Sequence, residues 1–177
     1  IIIGVKGSGD EADKYFADKK LDEKLFEQSG GYALSADGED IIILGKDTEA
    51  AFYGVATLKM MFSSFNGEKF YPVEIQDYAS IDARGYIEGF YGSWTHEQRK
   101  SLMEFTRDVK MNLYVYASKT DAYHTSKWAE LYPDDMLNQF KELVKLQEKN
   151  KTEFSWAVHI GDMLKGVQPN ASVQYDE

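Results

Sequence analysis

The chain has 177 residues, 43% hydrophobic, 14% aromatic and 28% charged, with no cysteine; this allows one or two packed cores and excludes disorder, a disulfide framework and a thiolate metal site. A formal net charge of -10 and a pI of about 4.8 oppose binding to nucleic-acid phosphates or an anionic membrane surface. No stretch approaches the ~18 apolar residues of a membrane span, and no signal-peptide pattern opens the chain.

Residues 1–80 read as a small α/β domain. The chain opens on Ile1-Ile2-Ile3, and residues 1–5 read as a buried strand already under way, so the domain is expected to lack its first element. Gly7-Ser8-Gly9 breaks that strand. A Lys/Asp/Glu-rich stretch over residues 10–28 has helical character, and Gly30-Gly31 ends it. Residues 32–35 and 41–44 are two strands joined through Asp37-Gly38, a hairpin signal. Asp47-Thr48 caps a helix whose apolar face carries Ala51, Val55, Leu58 and Phe62. A turn over residues 63–68 leads to a strand over 70–75. The expected product is a sheet with helices on one side.

The rhythm changes near residues 77–81, and residues 81–177 read as a second domain. Residues 85–88 are strand-like, and Thr95 with Gln98 makes a capping-box pattern for a helix striped by Leu102, Phe105 and Val109. Residues 112–116 form the next strand, followed by a long loop over 119–132. Pro133 starts a helix with Met136, Leu137, Phe140, Leu143 and Val144 on one face. A third strand covers residues 154–158. Repeating βα units imply a parallel sheet with right-handed crossovers. Three units do not close a (β/α)8 barrel, which typically takes ~250 residues. The second domain is therefore a small open sheet or a barrel cut short.

Several motifs invite functional readings. Gly4-Val5-Lys6-Gly7-Ser8-Gly9 follows a strand, but its glycine order is not that of a dinucleotide or phosphate loop, so an ordinary turn is expected. Asp134-Asp135 is an adjacent carboxylate pair, yet it opens a helix, where the macrodipole favours acids. His96, His124 and His159 all follow strands, but none has the helical spacing of a zinc motif, and packing roles are expected. Asn170-Ala171-Ser172 matches a glycosylation sequon, a pattern that arises readily by chance. Phe90, Tyr91, Trp94, Tyr116, Tyr123, Trp128 and Tyr132 gather around strand ends. Sugar sites use such rings against apolar C–H faces, but core residues look the same in sequence. Lys119 stands just after a strand, with Asp121, at the rim where parallel α/β folds bind ligands. Its ammonium donates up to three hydrogen bonds, although on residue type alone a solvated surface lysine is the expected reading.

The segment Arg84-Gly85-Tyr86-Ile87-Glu88-Gly89-Phe90-Tyr91-Gly92 resembles the opening barrel strand of family-84 glycoside hydrolases, which include bacterial β-N-acetylglucosaminidases, hyaluronidase-type toxins and O-GlcNAcases. The resemblance continues through Trp94, His96, Arg99, Lys110-Met111-Asn112, Tyr114-Val115-Tyr116-Ala117, Lys119, Asp121, Tyr123-His124, Lys127-Trp128 and Tyr132-Pro133. In the first domain, Gly31-Tyr32-Ala33-Leu34, Gly45-Lys46-Asp47-Thr48, Phe52-Tyr53-Gly54-Val55 and Thr57-Leu58 resemble the α/β domain that precedes that barrel.

The resemblance implies the first three βα units of a truncated (β/α)8 barrel behind a small α/β domain. It implies that the Gly89 backbone and the Lys119 side chain bind hydroxyls of a terminal N-acetylhexosamine, with Tyr91 and Tyr123 as further substrate-binding candidates. It implies catalysis by an adjacent aspartate pair after a fourth barrel strand, with the substrate's own acetamido group as nucleophile. On that reading no catalytic residue lies in this chain, and Asp134-Asp135 corresponds to helix-start acids. No cofactor or metal is implied. The expected partner is an N-acetylglucosamine-containing glycan or glycoprotein, the expected location secreted or at a bacterial cell surface, and the rest of the barrel would come from further polypeptide. The resemblance sets no oligomeric state. Gly92-Ser93-Trp94 is one residue shorter than the family pattern, Ser118 and Ala122 stand for prolines, Thr120 stands for an acid, and His159-Ile160-Gly161 departs from the usual turn. Loop shape around Lys119, and with it aglycone preference, is expected to differ. A non-catalytic carbohydrate-binding module is the alternative, and a nucleotide-binding α/β protein a third.

Overall fold

A computed structural model describes residues 1–64, 71–89 and 92–157. The elements are β1 (Ile2–Val5), α1 (Glu11–Phe16), β2 (Tyr32–Ala36), β3 (Ile41–Gly45), α2 (Thr48–Ser63), β4 (Val73–Asp77), β5 (Gly85–Glu88), α3 (His96–Asp108), β6 (Leu113–Tyr116), α4 (Asp134–Asn150) and β7 (Glu153–Trp156).

The first sheet has the order β1-β3-β2-β4. β1 runs parallel to β3, and β2 pairs antiparallel with both β3 and β4. Alternate side chains point to opposite faces. Ala33, Ile42 and Leu44 meet Ala12 and Phe16 of α1 and Leu25, while Tyr32, Leu34, Ala36 and Ile43 meet Tyr53 and Leu58 of α2. The expectation of helices on one side is corrected: they cover both faces. The run Ile41-Ile42-Ile43-Leu44 leaves β3 without a polar face, and such a strand needs cover on each side.

The helices of this half also differ in extent. α1 stops at Phe16, well short of residue 28. The next positions on its face are Lys19 and Lys20, so a longer helix would bury nothing. α2 keeps its Asp47 cap, whose carboxylate accepts from the Ala50 amide at 2.9 Å. Its burial is not one stripe: Ala50, Tyr53, Gly54, Ala56 and Thr57 are buried as well as Ala51 and Leu58, and Phe62 is exposed. The reason is that α2 lies between the first sheet and α3. A Cβ on Gly54 would stand 2.4 Å from Ile43 Cγ2, so glycine permits that close approach. β4 begins at Val73, after non-strand residues 71 and 72, and residue 70 of the expected strand lies outside the described residues.

The second sheet is parallel, in the order β5-β6-β7. Tyr86, Tyr114, Tyr116 and Phe154 pack with Met103 of α3 and with Phe140, Leu143 and Leu146 of α4. Ile87, Val115 and Ser155 align across the strands and point to the opposite face, where Ile87 is 54% exposed. The α3 capping box forms as expected: the Thr95 hydroxyl accepts from the Gln98 amide at 3.2 Å, and the Gln98 side chain accepts from the Thr95 amide at 2.8 Å. The expected apolar stripe of α3 is corrected. Its buried face is Arg99, Met103 and Thr106, with Phe105 and Val109 exposed. A pattern that counts only apolar residues passes over a core face that contains an arginine. β7 ends at Trp156, and residue 158 of the expected strand lies outside the described residues.

Polar contacts join the two sheets. Lys110, at φ 58°, reaches the Asp77 carboxylate and the Tyr32 hydroxyl, both at 2.8 Å. Arg84 donates to the Lys110 carbonyl and the Tyr53 hydroxyl, both at 3.0 Å. Burial acts to raise the Asp77 carboxyl, but the hydrogen bond and charge of Lys110, with Tyr32, outweigh it and hold it below its ordinary value. A carboxyl lowered in the folded state contributes stability above its unfolded value of about 3.9 and loses it as pH falls further. Asp77→Asn should therefore lower the melting temperature near neutrality. The gap to wild type should close as pH drops below about 4. A gap of constant size across that range, followed by circular dichroism, would contradict the assignment.

Candidate functional site

The parallel sheet sends its two described β-to-α loops, β5 to α3 and β6 to α4, from one edge. Glu88 and Tyr116 are in register at the ends of β5 and β6. The Ala117 amide donates to the Glu88 carbonyl at 3.2 Å, and the Ala157 amide to the Tyr116 carbonyl at 2.9 Å. Gly89 is the first residue beyond β5, and Lys119 the third beyond β6. A Cβ on Gly89 would have Ile87 Cγ1, at 4.0 Å, as its nearest described neighbour, and Gly89 itself is half-buried. Lys119 is exposed. The hydroxyls of Ser93 and Thr120 lie 2.5 Å apart and join the two loops. The two main sequence candidates thus leave neighbouring strand ends at the same edge. Tyr91 and Phe90 lie outside the described residues.

Beneath this edge, between sheet and α3, sits Glu88, which is fully buried. Arg99 binds it with both arms, Nε to Oε2 at 2.9 Å and Nη2 to Oε1 at 2.8 Å, and the Tyr114 hydroxyl donates to the same carboxylate. The guanidinium stands 5.1 Å from the centre of the Tyr116 ring. Burial disfavours the Arg99 charge, but the Glu88 hydrogen bonds and charge outweigh it and raise the guanidinium above its ordinary value. Burial first, then the bond to Glu88, push the Tyr114 hydroxyl upward, so it keeps its proton and remains a donor. Glu88 faces the helices, with its oxygens committed. It supports the strand end rather than facing a ligand. In the sequence Glu88 and Arg99 stand in the family motif, and no local pattern pairs them. The available signal was the spacing Arg99, Met103, Thr106 on one helical face.

The loop carrying Lys119 is organised by Asp121, which is 8% exposed. Its Oδ2 accepts from the Tyr116 hydroxyl at 2.6 Å and the Tyr132 hydroxyl at 2.8 Å, and its Oδ1 from the Tyr123 amide at 2.8 Å. Both phenols are raised, first by burial. The Tyr123 ring lies 5.1 Å from the Tyr132 ring, and Lys127 Nζ stands 5.5 Å from its centre. His124 is buried, with Nε2 2.6 Å from the Ala157 carbonyl oxygen.

Other candidates take structural places. His96 opens α3 and meets Glu142 of α4 at 2.8 Å. His159 and the Asn170 sequon lie outside the described residues. Among the described residues no group of three or more His, Cys, Asp or Glu side chains is disposed to hold a metal ion, and no helix is long and apolar enough to cross a membrane. Asp134 and Asp135 occupy the first turn of α4. In the glycine turn, Asp13 Oδ2 accepts from the Gly7 and Gly9 amides at 3.1 and 3.0 Å, and Asp10 from the Val5 amide at 3.1 Å. Carboxylates fill the positions a phosphate would need.

Comparison with known proteins agrees with this arrangement. Residues 84–174 match the family model described as beta-N-acetylglucosaminidase, and residues 5–78 match that of glycosyl hydrolase family 20, domain 2. The solved structure of CpGH84D superposes with a TM-score of 0.79 at 40% identity, over 89% of this chain and 27% of its own. That of CpGH84B gives 0.73 at 34% identity, over 84% and 26%. Protein O-GlcNAcase of Rattus norvegicus and of Mus musculus is 36% identical over 78 residues, which is 44% of this chain and 8% of either relative. The second sheet lies within the first of these family matches and most of the first sheet within the other. The chain belongs to the beta-N-acetylglucosaminidase family, family 84 of the glycoside hydrolases.

The buried pair gives a stability prediction. Arg99→Met leaves the Glu88 carboxylate without its cation, which costs ~3–5 kcal/mol for a broken buried pair. Glu88→Gln added to Arg99→Met should recover part of that loss, since a neutral amide still accepts from Tyr114. Urea unfolding of the protein checks both, and a loss under ~1 kcal/mol for Arg99→Met would contradict the account.

Proposed function

We propose that the whole protein is a retaining β-N-acetylglucosaminidase acting on a terminal N-acetylglucosamine of a glycan or glycoprotein, and that this chain supplies one wall of its pocket. The observation that carries the reading is the placement of Gly89 and Lys119 beyond adjacent strand ends, at the edge where parallel βα folds bind ligands. In this reading the Gly89 backbone and the Lys119 ammonium hydrogen-bond hydroxyls of the sugar, and Tyr91 and Tyr123 contribute further wall. The aromatic setting suits the apolar C–H face of a pyranose, and directed donors fix its orientation.

The reaction in this proposal is substrate-assisted. The acetamido oxygen attacks the anomeric carbon as the bond to the leaving oxygen breaks, and a general acid protonates that oxygen. Water then opens the oxazoline from the opposite face, with net retention. The acid/base and the residue that orients the acetamido group are an aspartate pair outside this sequence, and Asp134-Asp135 serves α4. The division of the chain near residue 80, with a barrel continuing past the three βα units, belongs to the same proposal. So does a secreted or cell-surface location, which rests on family resemblance.

Lys119→Ala in the whole protein tests the reading. Loss of a charge-assisted hydrogen bond, ~1.5–3 kcal/mol, should weaken N-acetylglucosamine binding about 10- to 100-fold by titration calorimetry. Unchanged affinity would contradict it. Tight binding by a wild-type protein that does not hydrolyse an aryl N-acetyl-β-glucosaminide would favour a binding module.

A further inference from the structure

The turn that carries Lys119 is closed by the residue two positions on. The Asp121 amide donates to the Ser118 carbonyl at 3.3 Å, so Lys119 and Thr120 are the central residues of a four-residue turn. The Asp121 carbonyl in turn accepts from the His124 amide at 3.2 Å and the Thr125 hydroxyl at 2.9 Å. Its carboxylate ties together the end of β6 through Tyr116, the middle of the loop through the Tyr123 amide and the end of the loop through Tyr132. Tyr132 accepts from Trp156 Nε1 of β7 at 3.2 Å, which extends the tie to the third strand. The end of one strand and two points of the loop meet on one nearly buried side chain, and a second strand joins through Tyr132.

We propose that Asp121 is a positioning residue for sugar binding: it orients the turn that presents Lys119 and acts on the ligand only through that lysine. The inference rests on the sugar-binding reading of Lys119 given above. The carboxylate is needed because all three groups that meet it are donors, and it offers acceptors on both oxygens where an amide offers one. In Asp121→Asn one carbonyl oxygen cannot serve all three: if it keeps the Tyr123 amide, the NH2 group donates to the phenol oxygens and their protons lose their acceptor, and if it keeps the phenols, the NH2 group meets the Tyr123 amide donor against donor. The turn then loses its fixed orientation, while the surface that meets the ligand keeps its composition.

The test is a double-mutant cycle in the whole protein, read as N-acetylglucosamine affinity by calorimetry and as KM and kcat on an aryl N-acetyl-β-glucosaminide. Asp121→Asn should weaken binding by about 5-fold or more in the wild-type background, and by less than about 2-fold when Lys119 is already alanine. KM should rise more than kcat falls. Tyr132→Phe, which removes one donor from the carboxylate and releases only the Nε1–H of half-exposed Trp156, should show the same coupling at smaller size, and it carries the test if Asp121→Asn does not fold. Losses that add in full to that of Lys119→Ala would overturn the proposal, because Asp121 would then act elsewhere. Unchanged affinity in both variants would overturn it too. If Lys119→Ala alone binds normally, the sugar-binding reading itself fails, an outcome distinct from additivity.

Discussion

The parallel half of the chain is built around a carboxylate that has no contact with water. Burying Glu88 costs several kcal/mol of lost hydration, and only a partner of opposite charge with matched geometry offsets this. Arg99 meets that demand with a two-armed contact, and Tyr114 supplies a third donor. Such a pair adds little net stability over an apolar replacement, but it tolerates little displacement. It therefore fixes α3 on β5 at a defined height and angle. The residue that follows Glu88 in the chain is Gly89, so this constraint sets the strand end from which the proposed ligand contact emerges.

The same geometry recurs one strand over. Asp121 gathers the hydroxyls of Tyr116 and Tyr132, as Glu88 gathers Arg99 and Tyr114. Arg99 stands over the Tyr116 ring and links the two centres. Tyr116 and Tyr132, which read in sequence like a platform for a ligand, spend their hydroxyls inside the protein. Their raised values keep them protonated, which preserves each as a donor to a carboxylate. The exposed side chains at the edge, Lys119 among them, are thus carried on loops whose roots are fixed by buried polar bonds.

Much of this was legible in the amino-acid sequence, for reasons that differ by region. β2 and β3 were readable because a turn signal, Asp37-Gly38, separated two apolar runs, and Gly38 does take φ 104°. The starts of α2 and α3 were readable because capping is local chemistry. The length of α1 and the buried face of α3 were not. α1 ends where its next face residues are charged, which becomes decisive only when the sheet beneath it is known. The α3 face was missed because its first member is Arg99, whose place in the core depends on a glutamate eleven residues earlier. The positions of Gly89 and Lys119 are legible through motif resemblance, and Asp121 is legible only as a neighbour of Lys119. Its role depends on Tyr132 and Tyr116 converging in space, and no local pattern encodes that.

The central claim is that the edge beyond β5 and β6 faces a sugar through Gly89 and Lys119. A crystal structure of the whole protein soaked with N-acetylglucosamine tests it most directly. The account predicts one ring at that edge, with Lys119 Nζ and the Gly89 backbone both within about 3.2 Å of its hydroxyl groups. A sugar bound elsewhere, or bound at that edge without contact to both residues, would contradict it.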